Sequence, residues 1–202
     1  MHITILTIGS RRGVQPYVAL GEGLKKAGYR VHLATHDCFE PFVRSRELDF
    51  FSIAGDPRGT LEGETGLKWL ESNKNPFTFV KRMVAAAKPV LWQIMNDYWK
   101  ACQETEAVLF PTLAALPAAS IVEKLQTPAY RAYLQHVHPT RVYPGPLAMS
   151  LQHLGGFYNK LTYSIGGSIF WQFMWPIINR WRKEVLNLPP YPFKSSFGKV
   201  KK

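Results

Sequence analysis

Cysteine is scarce in this sequence: Cys38 and Cys102 are its only two, and neither belongs to a paired spacing. A disulfide framework is therefore not expected, and two reduced thiols, the default of a cytoplasmic protein, are. Acidic side chains are few as well. Asp and Glu number 14 against 25 Lys and Arg, which leaves a formal net charge of +11. That excess attracts anionic partners, whether nucleic acid, acidic headgroups or phosphorylated substrates, without choosing among them. No recognisable nucleic-acid module accompanies the basic residues, so nucleic acid is not an expected partner. Metal-site spacing is missing too: His136 and His138 stand two apart with no further Cys or His cluster, and no metal is expected. There is no G-x-S-x-G elbow for a hydrolase. The opening MHITILTIGS has no basic n-region and reads as a buried strand rather than a signal peptide.

What is present is a globular composition, 46% hydrophobic and 19% charged over 202 residues, enough for one domain or at most two. His2 to Ile8 is apolar and β-branched nearly throughout, as in a strand covered on both faces. Gly9 and Ser10 break it. Pro16 then stands where a helix would begin, Val18, Leu20, Leu24 and Ala27 give its stripe, and Gly28 suits its end. Tyr29–Ala34 follows as a strand, Phe39–Arg46 as a helix and Phe50–Ile53 as a third strand. This alternation predicts an α/β fold built on a doubly wound parallel sheet. Further on, residues 55–75 read as a surface loop with a short helix near Leu67–Leu70. Pro76 opens a long helix to Gln103, which Pro89 should kink or divide. Strands are expected at 107–110 and 129–134, and helices at 113–125 and 158–186. The last stretch, LPPYPFKSSFGKVKK, reads as a linker or tail over 187–202.

One turn is placed for chemistry. Ligands of open parallel sheets sit beyond the carboxyl ends of the strands, where Gly9-Ser10-Arg11-Arg12-Gly13 falls, and the helix start behind it favours an anion. The turn is neither G-x-G-x-x-G nor a Walker loop. A tight turn with two solvated arginines is the plain alternative.

The run GSRRGVQPYVALGEGLKKAGYRVHLATH resembles the opening of glycosyltransferases of the sterol glucosyltransferase and antibiotic glycosyltransferase type, family 28, whose pattern is G-S-R-G-D-V-x-P-x-x-A-L. FEPFVRSRELDFFSIAGDP, PAASIVEKLQTPAYRAYLQ, PTRVYPGP and LNLPPYPFKSSFGK agree in the same order. The resemblance implies one Rossmann-like half of a GT-B fold: residues 1–186 as the amino-terminal, acceptor-side domain, with the carboxy-terminal domain for a UDP-sugar donor not included. It implies sugar transfer to a lipid-like or other hydrophobic hydroxyl acceptor, with no cofactor bound by this chain itself. A separate donor-domain chain and a peripheral membrane contact are open as partners. A non-catalytic acceptor-binding or docking subunit, or a truncated relic, remains as the alternative reading.

By the same resemblance, Gly9, Ser10, Arg11, Gly13 and Gln15 border the acceptor cleft, with His36, Thr140 and Arg141 as weaker candidates. Aligned without gaps, Gly13 holds the position of the family's Asp, the expected base; with a one-residue shift, an Arg is inserted and the Asp deleted. The loop thus has no carboxylate, and arginines stay protonated and cannot replace one. Without a donor half the chain is expected to be inactive alone, and because a positioned base contributes on the order of 10²–10⁴-fold, it is expected to be slow even when completed. His36 titrates in a range that suits a base, although a lone histidine at a strand end is more often structural. Residues 161–179, LTYSIGGSIFWQFMWPIIN, carry no charge. They read first as a helix over the core or acceptor cleft. A second reading is an interfacial contact through Phe170, Trp171, Phe173, Trp175 and Trp181, and the least favoured is a membrane span.

Overall fold

Five short apolar runs pair into one parallel sheet. β1 (His2–Leu6), β2 (Arg30–His36), β3 (Asp49–Ile53), β4 (Ala107–Phe110) and β5 (Ala129–Arg131) lie in the order β3-β2-β1-β4-β5. Ile5 of β1 sits opposite Leu33 of β2 and Leu109 of β4. The computed structural model describes residues 1–56, 76–145 and 155–193, with the backbone alone at 76–87 and 89. The helix expected near Leu67–Leu70 lies outside the described residues. The chain divides into two compact units, one of Met1–Gly63 with Lys88–Leu134 and one of Glu64–Ala87 with Gln135–Lys202. The first holds the sheet.

Strand alternation sends successive side chains to opposite faces. Ile3, Ile5, Val31, Leu33, Ala107 and Leu109 pack on one face with Val14, Tyr17 and Val18 of α1 (Arg11–Lys26). Thr4 looks to the other face. Its hydroxyl donates to the Ala101 carbonyl at 3.4 Å, at the end of α3 (Pro76–Ala101). Helices on both faces make the sheet doubly wound, as the alternation predicts. α2 (Glu40–Arg44) and α4 (Ala115–Leu125) complete the unit. Cys102, one residue past α3, is fully buried, and burial pushes its thiol up to about 12; Cys38 is exposed.

Three expectations shift. α1 starts at Arg11, not at Pro16, because the turn at Gly9 and Ser10 enters the helix at once. Pro16 therefore sits inside the helix, and its missing N–H leaves the Arg12 carbonyl without its helical donor. Both residues are on the exposed side, where water substitutes. The helix ends as expected at Gly28, whose φ of +87° accompanies the bonds Gly28 N–H to Lys25 and Tyr29 N–H to Leu24. Leu20, read as part of the buried stripe, is exposed. Pro89 does not divide α3, which runs unbroken from Pro76 to Ala101.

In the second unit α5 (Gly156–Glu184) carries the aromatic run. Residues 187–193, read as part of a linker or tail, are strapped to this helix. Trp171 and Trp175 donate their indole N–H groups to the carbonyls of Phe193 (2.8 Å) and Tyr191 (2.9 Å). Asn179 exchanges two bonds with the Tyr191 backbone, at 3.1 and 2.7 Å. Arg182 donates twice to the Pro189 carbonyl, at 3.0 and 2.9 Å, and lies 3.6 Å from the Tyr191 ring centroid. Prolines have no N–H to satisfy, so this segment presents mostly carbonyls to donors of the helix, while Leu188 and Tyr191 donate their N–H groups in return. Trp171 and Trp181 are buried, which removes them from the interfacial set named above. Among the described residues no helix is long and apolar enough to cross a membrane.

Candidate functional site

The sheet order reverses between β1 and β4. Strands β2 and β3 grow outward on one side and β5 on the other, and such a switch point is where open α/β sheets take ligands. Two connections leave the sheet there, Thr7–Ser10 after β1 and Pro111–Ala114 after β4. Gly9 has φ +104°, a conformation in which a side chain would be strained. Ser10 takes the cap position without a side-chain cap bond; its carbonyl accepts from Gly13 N–H at 2.8 Å and Val14 N–H at 3.2 Å. The first turn of α1 contains no acid, so Arg11 and Arg12 stand at the positive end of the helix dipole. Arg11 donates to Gln15 at 3.3 Å and lies 5.2 Å from the Phe42 ring centroid. These two expected cleft residues therefore engage each other on the exposed side of α1.

His36, the last residue of β2, is brought to this turn. Its Nε2 accepts the Gly9 N–H at 3.2 Å, and the residue is only 4% exposed. An accepting Nε2 requires the neutral ring with its proton on Nδ1, which is buried near Gly55 without a hydrogen-bond partner of good geometry. Burial holds the imidazole below the usual histidine range, against the opposing pull of the Ala54 and Gly55 backbone groups and of Asp56 and Asp37. The lone pair a base would use is thus committed to the loop. His36 shapes the turn.

The floor beneath is fixed from α3. Tyr98 is fully buried and donates to the Thr7 carbonyl at 2.9 Å, while Thr7 N–H and hydroxyl both reach the Ala34 carbonyl. Asp97 accepts the Ala54 N–H at 3.0 Å just past β3 and a Gln93 amide at 2.9 Å. Its carboxylate anchors backbone. Gly13 has one close neighbour: a Cβ there would stand 3.2 Å from the Ile8 carbonyl oxygen. Outside the helix itself no other atom lies within 4 Å of that Cβ position, so this one carbonyl is what a side chain would have to displace. Among the described residues no group of three or more His, Cys, Asp or Glu stands together as a metal site.

The structure thus gathers Gly9, Ser10, Arg11, Gly13, Gln15 and His36 at one end of the sheet. Thr140 and Arg141 belong to the second unit. There Thr140 Oγ1 accepts Val142 N–H at 3.2 Å and the Arg141 carbonyl accepts from Asn159 at 2.9 Å. Sequence reasoning did not single out Tyr98, Asp97 or Thr112. Thr112 follows β4 at the switch point, and its hydroxyl oxygen is buried without a hydrogen-bond partner. Its place just past a predicted strand was a usable signal. The other two sit near the end of α3, where nothing local marks them.

Comparison with known proteins agrees with this geometry. Among solved structures, the SsfS6 glycosyltransferase of Streptomyces sp. SF2575 superposes with a TM-score of 0.58 at 17% identity, covering 95% of this chain and 48% of that one. SnogD from Streptomyces nogalater does so with 0.53 at 14%, covering 94% and 42%. The fold is one Rossmann-like half of a GT-B glycosyltransferase. More narrowly, the glycosyltransferase family 28 N-terminal domain model matches residues 3–144, and the chain belongs to that family. It is 36% identical over 198 residues to a sterol 3-beta-glucosyltransferase of Pichia angusta, covering 98% of this chain and 15% of the relative. Another such enzyme, from Emericella nidulans, is 35% identical over 188 residues, 93% of this chain and 13% of the relative. The chain therefore spans only a small part of the length of these curated relatives.

Proposed function

We propose that residues 1–202 are the acceptor-side half of a glycosyltransferase that moves a hexose from a nucleotide sugar, a UDP-sugar by class, to the hydroxyl of a sterol-like lipid. The observation that carries this reading is the identity to sterol 3-beta-glucosyltransferases, which runs through 98% of the chain. In the reaction the acceptor oxygen bonds to the anomeric carbon, the bond from that carbon to the nucleotide diphosphate breaks, and the hydroxyl proton passes to a base. Gly9, Ser10 and Gly13 border the acceptor in this reading, and Arg11 and Gln15 flank it. No loop residue accepts the proton, because Gly13 holds the family's Asp position and His36 Nε2 is engaged with Gly9, so the proton passes to solvent water. Turnover then requires a donor half, continuous with this chain or separate, and is slow even with one.

A second reading, a non-catalytic acceptor-binding subunit, is favoured by one observation. The Ile8 carbonyl crowds the place where the Asp side chain would begin. Titration of residues 1–202 with a naturally fluorescent sterol and, separately, with UDP-glucose by calorimetry tests the assignment. Saturable sterol binding without UDP-glucose binding is expected. UDP-glucose binding without sterol binding overturns it.

A further inference from the structure

Two histidines meet at the amino-terminal rim of the sheet, the end away from the Gly9 turn. The register of β1 with β2 sets Thr4 beside His32, so His2, two residues earlier on β1, shares its face. Their ring centroids are 5.9 Å apart, with 18° between the ring planes, and both residues are half-buried. The sequence offers no ligand spacing here, because only strand pairing brings the two together.

Both stand on rigid backbone. The His2 N–H donates to the Glu106 carboxylate, and its carbonyl accepts from Glu106 N–H at 2.9 Å and from the Thr105 hydroxyl at 3.4 Å. His32 lies in the strand between β1 and β3, with the Phe51 ring edge-on to it at 5.6 Å. The His2 ring is oriented as well. Its Nδ1 donates to the Glu104 carbonyl at 2.9 Å, and since a carbonyl only accepts, Nε2 is left with its lone pair. That Nε2 is buried without a hydrogen-bond partner. Burial first, and then His2, lower the proton affinity of His32, which leaves its ring neutral, the form that binds a metal.

We propose that His2 and His32 hold a Zn²⁺ ion between their rings, with water completing its ligands. Zn–N bonds of about 2.0–2.1 Å at a tetrahedral angle put two imidazole centroids about 5 Å apart, within about 1 Å of the spacing here. Turning His32 about its soft χ2 closes the difference. Donation of the second ring nitrogen to a backbone carbonyl, as His2 does to Glu104, is how metal-binding histidines are ordinarily oriented. Two neighbouring cations are matched by acids, Arg30 by Asp49 at 3.2 Å and the Met1 amine by Glu106 at 3.7 Å, which lowers the repulsion an ion would meet. The ion would tie β1 to β2 at the rim. The inference does not depend on sugar transfer.

The test is calorimetric titration of residues 1–202 with Zn²⁺, with zinc-edge X-ray absorption to count the imidazoles on the bound ion. A single saturable site on two imidazoles is expected, with melting raised by Zn²⁺ and restored by EDTA. His2→Gln and His32→Gln should each weaken binding at least about tenfold, the loss that even an outer-shell change can cause. Cys38→Ser with His136→Gln and His138→Gln removes exposed metal ligands elsewhere and should leave binding intact. Should either single variant fold poorly, the absorption spectrum of the wild type decides: a sulfur ligand, or fewer than two imidazoles, overturns the proposal. No Zn²⁺ binding overturns it, as does equal loss in the triple variant. So does full binding by His32→Gln, which would assign the ion to His2 and the amino-terminal amine.

Discussion

Replacing His36 by Phe keeps a ring in the buried space at the end of β2 and removes the acceptor of the Gly9 N–H. That N–H would be left without a partner beside a side chain only 4% exposed. Stranding a buried donor costs about 1–3 kcal/mol, and because Gly9 is half-buried the low end, about 1 kcal/mol, applies. With a urea slope of about 1–3 kcal/mol per molar, the unfolding midpoint should fall by about 0.3–1 M. The pH dependence carries a second signature. Burial lowers the folded-state affinity of His36 for a proton, so above the ordinary histidine value of 6.5 the ring is neutral in both states and costs nothing. Below it the unfolded chain takes the proton first, and stability is lost progressively until the depressed folded value is passed. His32, also lowered by burial and by His2, adds a loss of the same sign. Urea unfolding of wild type and His36→Phe at pH 7.5 and 5, on either side of the ordinary histidine value of 6.5, isolates the His36 share. The variant should lose less stability on acidification than the wild type, and its Gly9 amide should exchange faster. Equal midpoints at neutral pH together with equal acid losses would refute the idea that this bond holds the turn.

Two further outcomes are expected. In a fusion to a competent donor domain, Gly13→Asp should raise turnover by about 10²-fold or more by restoring a base; equal turnover with and without the substitution removes the base argument. The Ile8 carbonyl at 3.2 Å must yield to admit the side chain, so the same variant alone should melt lower than wild type. Tyr98→Phe leaves the Thr7 carbonyl without its buried donor and should destabilise the protein by about 1–3 kcal/mol in urea, while an unchanged midpoint would mean the bond contributes nothing.

The strands were legible because most are short, apolar and separated by glycine and proline, so their number and succession along the chain follow from local chemistry, whereas their order in the sheet does not. Helix starts were less so. Pro16 marks a favourable first position in general, yet the left-handed Gly9 turn starts the helix earlier, and a proline on the solvent side is tolerated. The loop residues were found because they lie where a strand hands over to a helix. His36 was seen as a titratable group. Its engagement with Gly9, 27 residues away, depends on the pairing of β1 with β2 and has no local signal. The same limit hid the strap at 187–193. Its prolines look like a tail until the donors of α5, which only the fold brings within reach, are set against their carbonyls.

The buried sulfur at Cys102 makes this molecule its own stopwatch. With the thiol raised to about 12, only on the order of one molecule in 10⁴ would carry a thiolate at pH 8, and the close packing shields even that one from reagent. An alkylating agent must therefore wait for the end of α3 to lift from the sheet, while Cys38, already at the surface, is open to it throughout. The lag between the two modifications times the breathing of the helix end from which Tyr98 and Asp97 hold the connections after β1 and β3, with no mutation added.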